Sequence, residues 1–563
     1  MSEPPQEALA EAFDADEVLA GLHRRLRPFA LPAACLLAIY LFGVVDDWWP
    51  TPDSALYQGL ARNLFRGEGY RFNGRFSNDV TPGLPVLIGA VRATFGEGYW
   101  ALNLLMTLCG LGSLVVAYLT LARWTNRGAA AAAVLGTFFC YLYFRFSHLI
   151  LTDAPFALLF WLTAYACVRC LRGGWGWLAA IVPLTALAVA IRAPGALILG
   201  PLAGAVVLDR QVPAPPIRRL VVAGAVLLSA AVTIGAFYVA ARLLADGTPP
   251  YLAGPATGGG LLGRFVHVAE GLWRIPGETA KVLTDRHEPR LLGLLLAVLC
   301  AIGLVVAWRR GRRLCAAVCL LNIVPSTFLI GAGCVRARYL MAVWPLLLLA
   351  ILRGLLWVTE RLTRWRGVSN RPAWHGRAVL GFLLGLLAVN APPFAWKAVQ
   401  PAWAGHLGRY HDAVEEGVYA DLYETASFLR ARLGPQARIA ARWDRTRILH
   451  YLTGLSTEPL RETDRWKPEH AEAVYEDLRR RAGVDAVVTD TGKLDERYTR
   501  RLAELLEAAP DLEAAYRGRH VTVYVRRSAA GPAGKIPLHA PAQAAMQAPV
   551  AGEALRAARR LRR

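Results

Sequence analysis

The chain has 563 residues, with 63 Lys plus Arg against 42 Asp plus Glu and a formal net charge of +21. Hydrophobic residues make up 55% and charged residues only 19%, which is too apolar for a string of soluble domains and too rich in aliphatic and aromatic side chains for a disordered chain. A polytopic helical membrane protein remains, and its basic excess reads as Arg-rich loops on one membrane face rather than as a nucleic-acid surface.

Residues 1–27 form an N-terminal segment ahead of the first apolar run, 28–45. No small-residue cleavage site follows that run, so it reads as a retained helix and not as a cleaved signal. The loop after it, 46–98, holds most of the chemistry. It carries Asp46-Asp47-Trp48-Trp49-Pro50-Thr51-Pro52-Asp53, then Tyr57, Ala61-Arg62, the Gly67/Gly69 pair and Asn78-Asp79 ahead of Pro82-Gly-Leu-Pro85. Asp53 is placed to cap a short amphipathic helix. Leu56, Leu60 and Leu64 would bury that helix against the membrane surface, and the glycine pair would end it.

Further apolar runs of spanning length lie near 99–121, 128–147, 155–171, 175–191, 194–208, 220–244, 290–307, 314–333, 339–357 and 378–395, giving eleven candidate spans with the first. Arg-rich connections alternate with longer loops of mixed charge. The positive-inside rule then puts the N-terminus in the cytoplasm, and residues 46–98, 145–154, 245–289 and everything after 396 outside. The nine cysteines all fall in or beside apolar runs, which argues against a disulfide framework in the hydrophilic C-terminal part. Cys167-Val-Arg-Cys170 has metal or redox spacing but sits inside an apolar run, where helix packing is the simpler reading.

After residue 396 the pattern changes. Helical periodicity over 419–433, 471–481 and 497–508 is interleaved with strand-like stretches at 437–441, 484–489 and 520–526. The expected organisation is a cytoplasmic segment 1–27, a transmembrane domain 28–395, a small extracytoplasmic α/β domain 396–527 and a basic Ala/Pro-rich tail 528–563 that reads as disordered.

The order Asp53-x-x-x-Tyr57-x-x-x-Ala61-Arg62, a Gly-rich turn, Asp79 before Pro82-Gly-Leu-Pro85, and Leu151-Thr-Asp153-Ala-Pro155 at a helix end resembles the GT-C superfamily of membrane glycosyltransferases. It is most similar to the glycosyltransferase family 39-like branch of protein O-mannosyltransferases and aminoarabinose transferases. The resemblance implies a sugar donor carried on polyprenyl phosphate, a hydroxyl-bearing acceptor (lipid, glycan or protein), action at the outer face of the plasma membrane, and contact with the lipid bilayer but not with nucleic acid. It implies Asp53, Asp79 and Asp153 as catalytic, and Asp46, Asp47 and Tyr57 as substrate-binding.

The aminoarabinose branch has a Lys shortly after the second loop acid, where this chain has Val80-Thr81-Pro82. Phosphate neutralisation then falls to Arg62, Arg192, Arg336 or Arg338. No cofactor is assigned, a divalent metal stays open, and His148 reads as structural. A carrier or flippase for lipid-linked sugar is the alternative, but carriers keep polar groups near the bilayer midplane, and here the acids gather at helix ends and in a loop. An oligosaccharide ligase or polymerase would share the donor chemistry but concentrate its reactive groups in a large late loop.

Overall fold

The structure is a computed structural model describing residues 15–46, 48–77, 79–208, 212–244, 260–284, 290–309, 337–365, 372–403, 420–460, 469–481, 483–490, 496–518 and 520–527. Asp47, Arg336, the candidate span 314–333 and the tail 528–563 lie outside the described residues. Two compact units emerge: Met1–Asp47 with Ser77–Gly408, and Trp48–Phe76 with Arg409–Arg563.

From the N-terminus, α1 (Ala15–Arg25) and α2 (Ala30–Phe42) precede α3 (Pro52–Phe65), the hairpin β1 (Arg71–Phe72) and β2 (Arg75–Phe76), and α4 (Gly83–Phe95). Next come α5 (Trp100–Trp124), α6 (Arg127–Phe138), α7 (Tyr141–Ser147), α8 (Asp153–Leu171), α9 (Leu178–Ile191), α10 (Ala196–Leu208) and α11 (Pro216–Leu244). The helical part closes with α12 (Gly260–Thr284), α13 (Arg290–Arg309), α14 (Trp344–Trp365) and α15 (Pro372–Trp403).

Among the described residues six helices are long and apolar enough to cross a membrane, or seven if the bent pair α6–α7 is one span. Arg27–Phe42, Trp175–Ile191 and Ala193–Leu208 are helical and apolar but shorter, so the full set of eleven spans is not reproduced by length. The protein is a multi-pass membrane protein. The apolar α4 begins directly after Pro82, where an apolar element was expected to start, whereas α12 lies in a stretch read as an outer loop.

The breaks are built, not frayed. Between α6 and α7 the chain turns by 72°. There the Tyr141 N–H, orphaned by the break, is taken by Asn390 Oδ1 at 3.0 Å, and Asn390 Nδ2 donates to the Leu283 and Leu386 carbonyls at 2.7 and 2.8 Å. A backbone group without a helical partner in an apolar interior must find one, and a buried Asn from another helix supplies it. The ring nitrogens of buried His148 face the Phe144 and Tyr40 carbonyls at 2.8 and 2.9 Å, a structural clip as expected. Cys167 and Cys170 are free and both buried on α8.

In the second unit, α16 (Ala420–Arg432), β3 (Arg438–Ala441), α17 (Trp443–Thr453), β4 (Ser456–Pro459), α18 (Glu469–Arg480), β5 (Ala486–Asp490), α19 (Glu496–Glu507), β6 (Leu512–Arg517) and β7 (Val521–Arg526) follow in order. The sheet order is β4-β3-β5-β7-β6, parallel for β4-β3-β5 and antiparallel for β5-β7-β6. Val474, Leu478, Tyr498, Leu502 and Leu506 of α18 and α19 pack with Ala440, Val487 and Tyr524 of the sheet to form its core. The helix α3 and the hairpin belong to this unit rather than to the helical one.

Candidate active site

In the first unit the site is built around a helix break. Pro194 stops α9, Arg192 is extended (φ −150, ψ 101), and a short 3-10 turn Ala193–Gly195 leads into α10. Gly195 is required there, because a Cβ would stand 2.2 Å from the Phe156 ring of α8. Gly83 is required by the same argument, since its Cβ would stand 2.5 Å from the Ala190 carbonyl oxygen. The first turn of α4, four residues beyond Asp79, therefore presses on the backbone just before Arg192.

Asp153 begins α8 but does not cap it: its N-cap is Thr152, which makes no side-chain cap bond. Instead Asp153 Oδ1 forms an ion pair with Arg192 Nη1, the side chains being 1% and 7% exposed. Asp153 Oδ2 is also buried and has no hydrogen-bond partner among the described residues. The Arg192 guanidinium lies 4.7 Å from the Tyr339 ring centroid, and Arg338 lies 4.9 Å from the same ring. One acid, two cations and an aromatic ring thus converge in the helical unit. The exposed Asp79 lies in the same unit, in the segment leading to α4.

In the second unit the sequence TPDS folds as a capping box. Thr51 Oγ1 accepts the Ser54 N–H at 3.0 Å, and Ser54 Oγ accepts the Thr51 N–H at 3.0 Å. Thr51, not Asp53, is the cap, so the Asp53 carboxylate is not spent on capping. It lies 3.4 Å from Arg447 Nη1 of α17, with both side chains about a quarter exposed at 28% and 25%. Leu56, Tyr57, Leu60 and Ala61 are buried within the protein, and α3 packs on α17 rather than presenting this face to lipid.

Arg62 spreads over the Tyr451 ring at 5.3 Å and donates to the Tyr451 carbonyl at 3.4 Å, while the Tyr451 hydroxyl reaches Gln58 Oε1 at 3.2 Å. His450 joins this network: Nδ1 donates to the Leu455 carbonyl at 2.7 Å, and Nε2 accepts the Asn73 N–H at 3.0 Å. Its pKa is held below the ordinary histidine value by burial first and by nearby Arg62 second.

Asp46 spends Oδ1 on the Tyr99 and Trp100 N–H groups, at 2.6 and 2.9 Å, at the start of α5. An anion at a helix N-terminus explains that position without any substrate. Among the described residues no group of three or more His, Cys, Asp or Glu is placed to hold a metal.

Residues 79–235, which carry Asp79, Asp153 and Arg192, match the family described as dolichyl-phosphate-mannose-protein mannosyltransferase. No curated protein sequence matches the chain. Among solved structures the fold is similar to ArnT from Cupriavidus metallidurans bound to undecaprenyl phosphate, at 16% identity, 90% coverage of this chain, 100% of that chain and TM-score 0.51. The apo state of ArnT is similar at 15% identity over 89% of this chain and 98% of that one, also with TM-score 0.51. The chain has the fold of the GT-C membrane glycosyltransferases. An Archaeoglobus fulgidus oligosaccharyltransferase is similar at 15% identity over 83% of this chain and 69% of that one, with TM-score 0.45.

Sequence reading did not single out Tyr339, Arg447, His450 or Tyr451. Tyr339 was findable, as the aromatic neighbour of Arg338. Nothing in the spacing joins Arg447 to Asp53, since 394 positions separate them.

Proposed function

We propose that the protein is an inverting glycosyltransferase that moves a sugar from a polyprenyl-phosphate carrier to a hydroxyl-bearing acceptor at the outer face of the plasma membrane. The observation that carries this reading is the buried Asp153–Arg192 pair with Arg338 and Tyr339. A guanidinium beside a helix break is a natural holder for a phosphate bearing negative charge, and charge-assisted bonds of this kind are the strong ones. The undecaprenyl phosphate bound by ArnT supports a donor of the same chemistry here. Arg192 and Arg338 are assigned to the donor phosphate, and Asp153, through its second oxygen, to a sugar or acceptor hydroxyl. Arg62 becomes the weaker phosphate candidate because Tyr451 already engages it.

Asp53 is assigned the proton. As the acceptor oxygen forms its bond to the anomeric carbon, the Asp53 carboxylate takes the hydroxyl proton. The bond from that carbon to the phosphate oxygen breaks, and its electron pair stays on the departing lipid phosphate. A positioned base contributes about 10²–10⁴ in rate. Arg447, 3.4 Å away, would hold the Asp53 carboxylate in position. Asp79, Tyr57, Asp46 and Asp47 are left as secondary candidates, with Asp46 the weakest of those described.

The experiment is single-turnover transfer from a polyprenyl-phosphate sugar, with donor binding measured on the same preparations. Asp53→Asn should lower turnover by about 10²-fold or more while donor binding is kept. Transfer near the unmodified rate would remove Asp53 as the base. A carrier would instead move the lipid-linked sugar across the bilayer and leave it uncleaved.

A further inference from the structure

At the other end of α8 lies a second charged cluster that the transfer reaction does not use. An α-helix rises about 1.5 Å per residue, so the 19 residues of α8 set its C-terminal end about 28 Å from Asp153. Around that end and the turn into α9 stand Arg123 of α5, Arg169 of α8, Arg172 and Arg218 of α11. Each is laid against an aromatic ring or a helix-end carbonyl. Arg123 lies 5.0 Å from the Tyr165 ring, Arg169 5.4 Å from Trp177, and Arg218 4.8 Å from Trp175. Arg172 donates to the Arg123 carbonyl at 2.6 Å, and Arg218 to the Leu171 carbonyl at 3.3 Å.

Among the described residues no carboxylate pairs with any of the four. Segments 121–127 and 165–178 contain no acid at all. A guanidinium has five donor hydrogens, and the bonds above use at most one on each, so most of the donors are not taken by those bonds. Arg169, Arg172 and Trp175 are exposed.

We propose that this helix-end cluster is a binding site for the phosphate headgroup of an anionic phospholipid, on the membrane face opposite Asp153. Four uncompensated cations held at the ends of apolar helices repel one another, and a lipid phosphate neutralises them while its acyl chains lie along the same helices. The Trp175 and Trp177 rings lie against Arg218 and Arg169, and indoles favour the boundary between hydrocarbon and headgroups, where such a lipid site would lie. A free phosphate ion satisfies the charge but gains nothing from the apolar surroundings, so the lipid is the occupant the site favours.

The test uses the full chain in a neutral detergent, with bound lipid counted by native mass spectrometry as phosphatidylglycerol or phosphatidylcholine is titrated in. Phosphatidylglycerol should bind in preference, and Arg169→Gln/Arg172→Gln/Arg218→Gln should weaken it by about 100-fold, roughly fivefold per guanidinium removed. A control that removes as much charge elsewhere, Arg361→Gln/Arg364→Gln/Arg377→Gln, should bind as the unmodified protein does. Equal binding of the two lipids, or equal loss in the control, would overturn the proposal. So would displacement of the lipid by millimolar inorganic phosphate. Should the triple variant not fold, a photoreactive phosphatidylglycerol on the unmodified protein decides the matter. Its crosslinks should map to 169–177, and crosslinks spread over all helix ends would refute the site.

Discussion

Asp153 and Arg192 each sit where an isolated charge would be intolerable, and each is tolerable because of the other. Removing one partner leaves the other buried and uncompensated, which costs about 3–5 kcal/mol, whereas removing both together costs much less. Asp153→Ala and Arg192→Met should therefore each lower the unfolding midpoint of the detergent-solubilised protein strongly, and the double variant should recover part of the loss. A purely additive double variant would show that the two do not stabilise one another. Sequence made both residues visible, an acid at a helix start and an Arg before Ala193-Pro194, but 39 positions separate them, and it is the packing of α8 on α9, with Gly195 close against Phe156, that brings them together.

His450 gives a second outcome at this scale. Its Nε2 must be unprotonated to accept the Asn73 N–H, and its pKa is lowered in the folded protein. The unfolded chain, with an ordinary value of about 6.5, binds the proton more readily. The docking of the hairpin is thus full above about pH 6.5 and weakens as pH falls from there toward the lowered folded value. The protection factor of the Asn73 amide, which already discounts the intrinsic pH dependence of exchange, should fall between pH 7.5 and 5.5, and His450→Phe should remove that dependence. A constant protection factor would contradict it.

Elements show where pattern reading succeeds and where it fails. The interior strands β3, β5 and β7 were legible because strands flanked on both sides are apolar, as Ile439, Val487, Val488, Val523 and Val525 show. The edge strands β4 and β6 were not. Ser-Thr-Glu-Pro and Leu-Glu-Ala-Ala-Tyr-Arg carry the polar and weakly β-forming residues that edges tolerate, so nothing marked them as strands. The helix α4, an apolar element expected to start at Pro82, was not counted as a span because its 13 residues fall short of one. Its closeness to the α9 backbone yields a prediction. Gly83→Ala places a Cβ 2.5 Å from the Ala190 oxygen, where carbon contacts want about 3.5 Å or more. The helices must part by roughly 1 Å, at about 1–3 kcal/mol. If the Arg192 region holds the donor phosphate, Gly83→Ala should weaken donor binding while leaving the hairpin docking around Asn73 unchanged. Unaltered donor affinity in a folded Gly83→Ala protein would detach Arg192 from the donor.

For the whole molecule, composition alone sufficed to identify a multi-pass helical protein, but not the way the chain is shared between its two units. Reading along the chain assigned 28–395 to one domain and 396–527 to another, because hydropathy changes there. Contacts instead group Trp48–Phe76 with Arg409–Arg563, and Asn73, Gln58 and Arg62 all bond residues of 450–457. Hydropathy records where a segment lies relative to lipid and is blind to which distant segment a polar loop will join. What it does bear on is sidedness. The Arg-rich turn 169–177 belongs to the set expected inside, and everything after 396 to the set expected outside. With the native cysteines replaced, Ala473→Cys on the exposed side of α18 and Gly176→Cys in the open turn before α9 give a reciprocal pair of reporters. An impermeant maleimide should label Ala473→Cys in intact spheroplasts and Gly176→Cys only after lysis. The reverse pattern would place α18, and the proposed transfer reaction with it, on the cytoplasmic side. Labelling of both in intact cells would mean that the charge alternation does not describe how this chain is threaded.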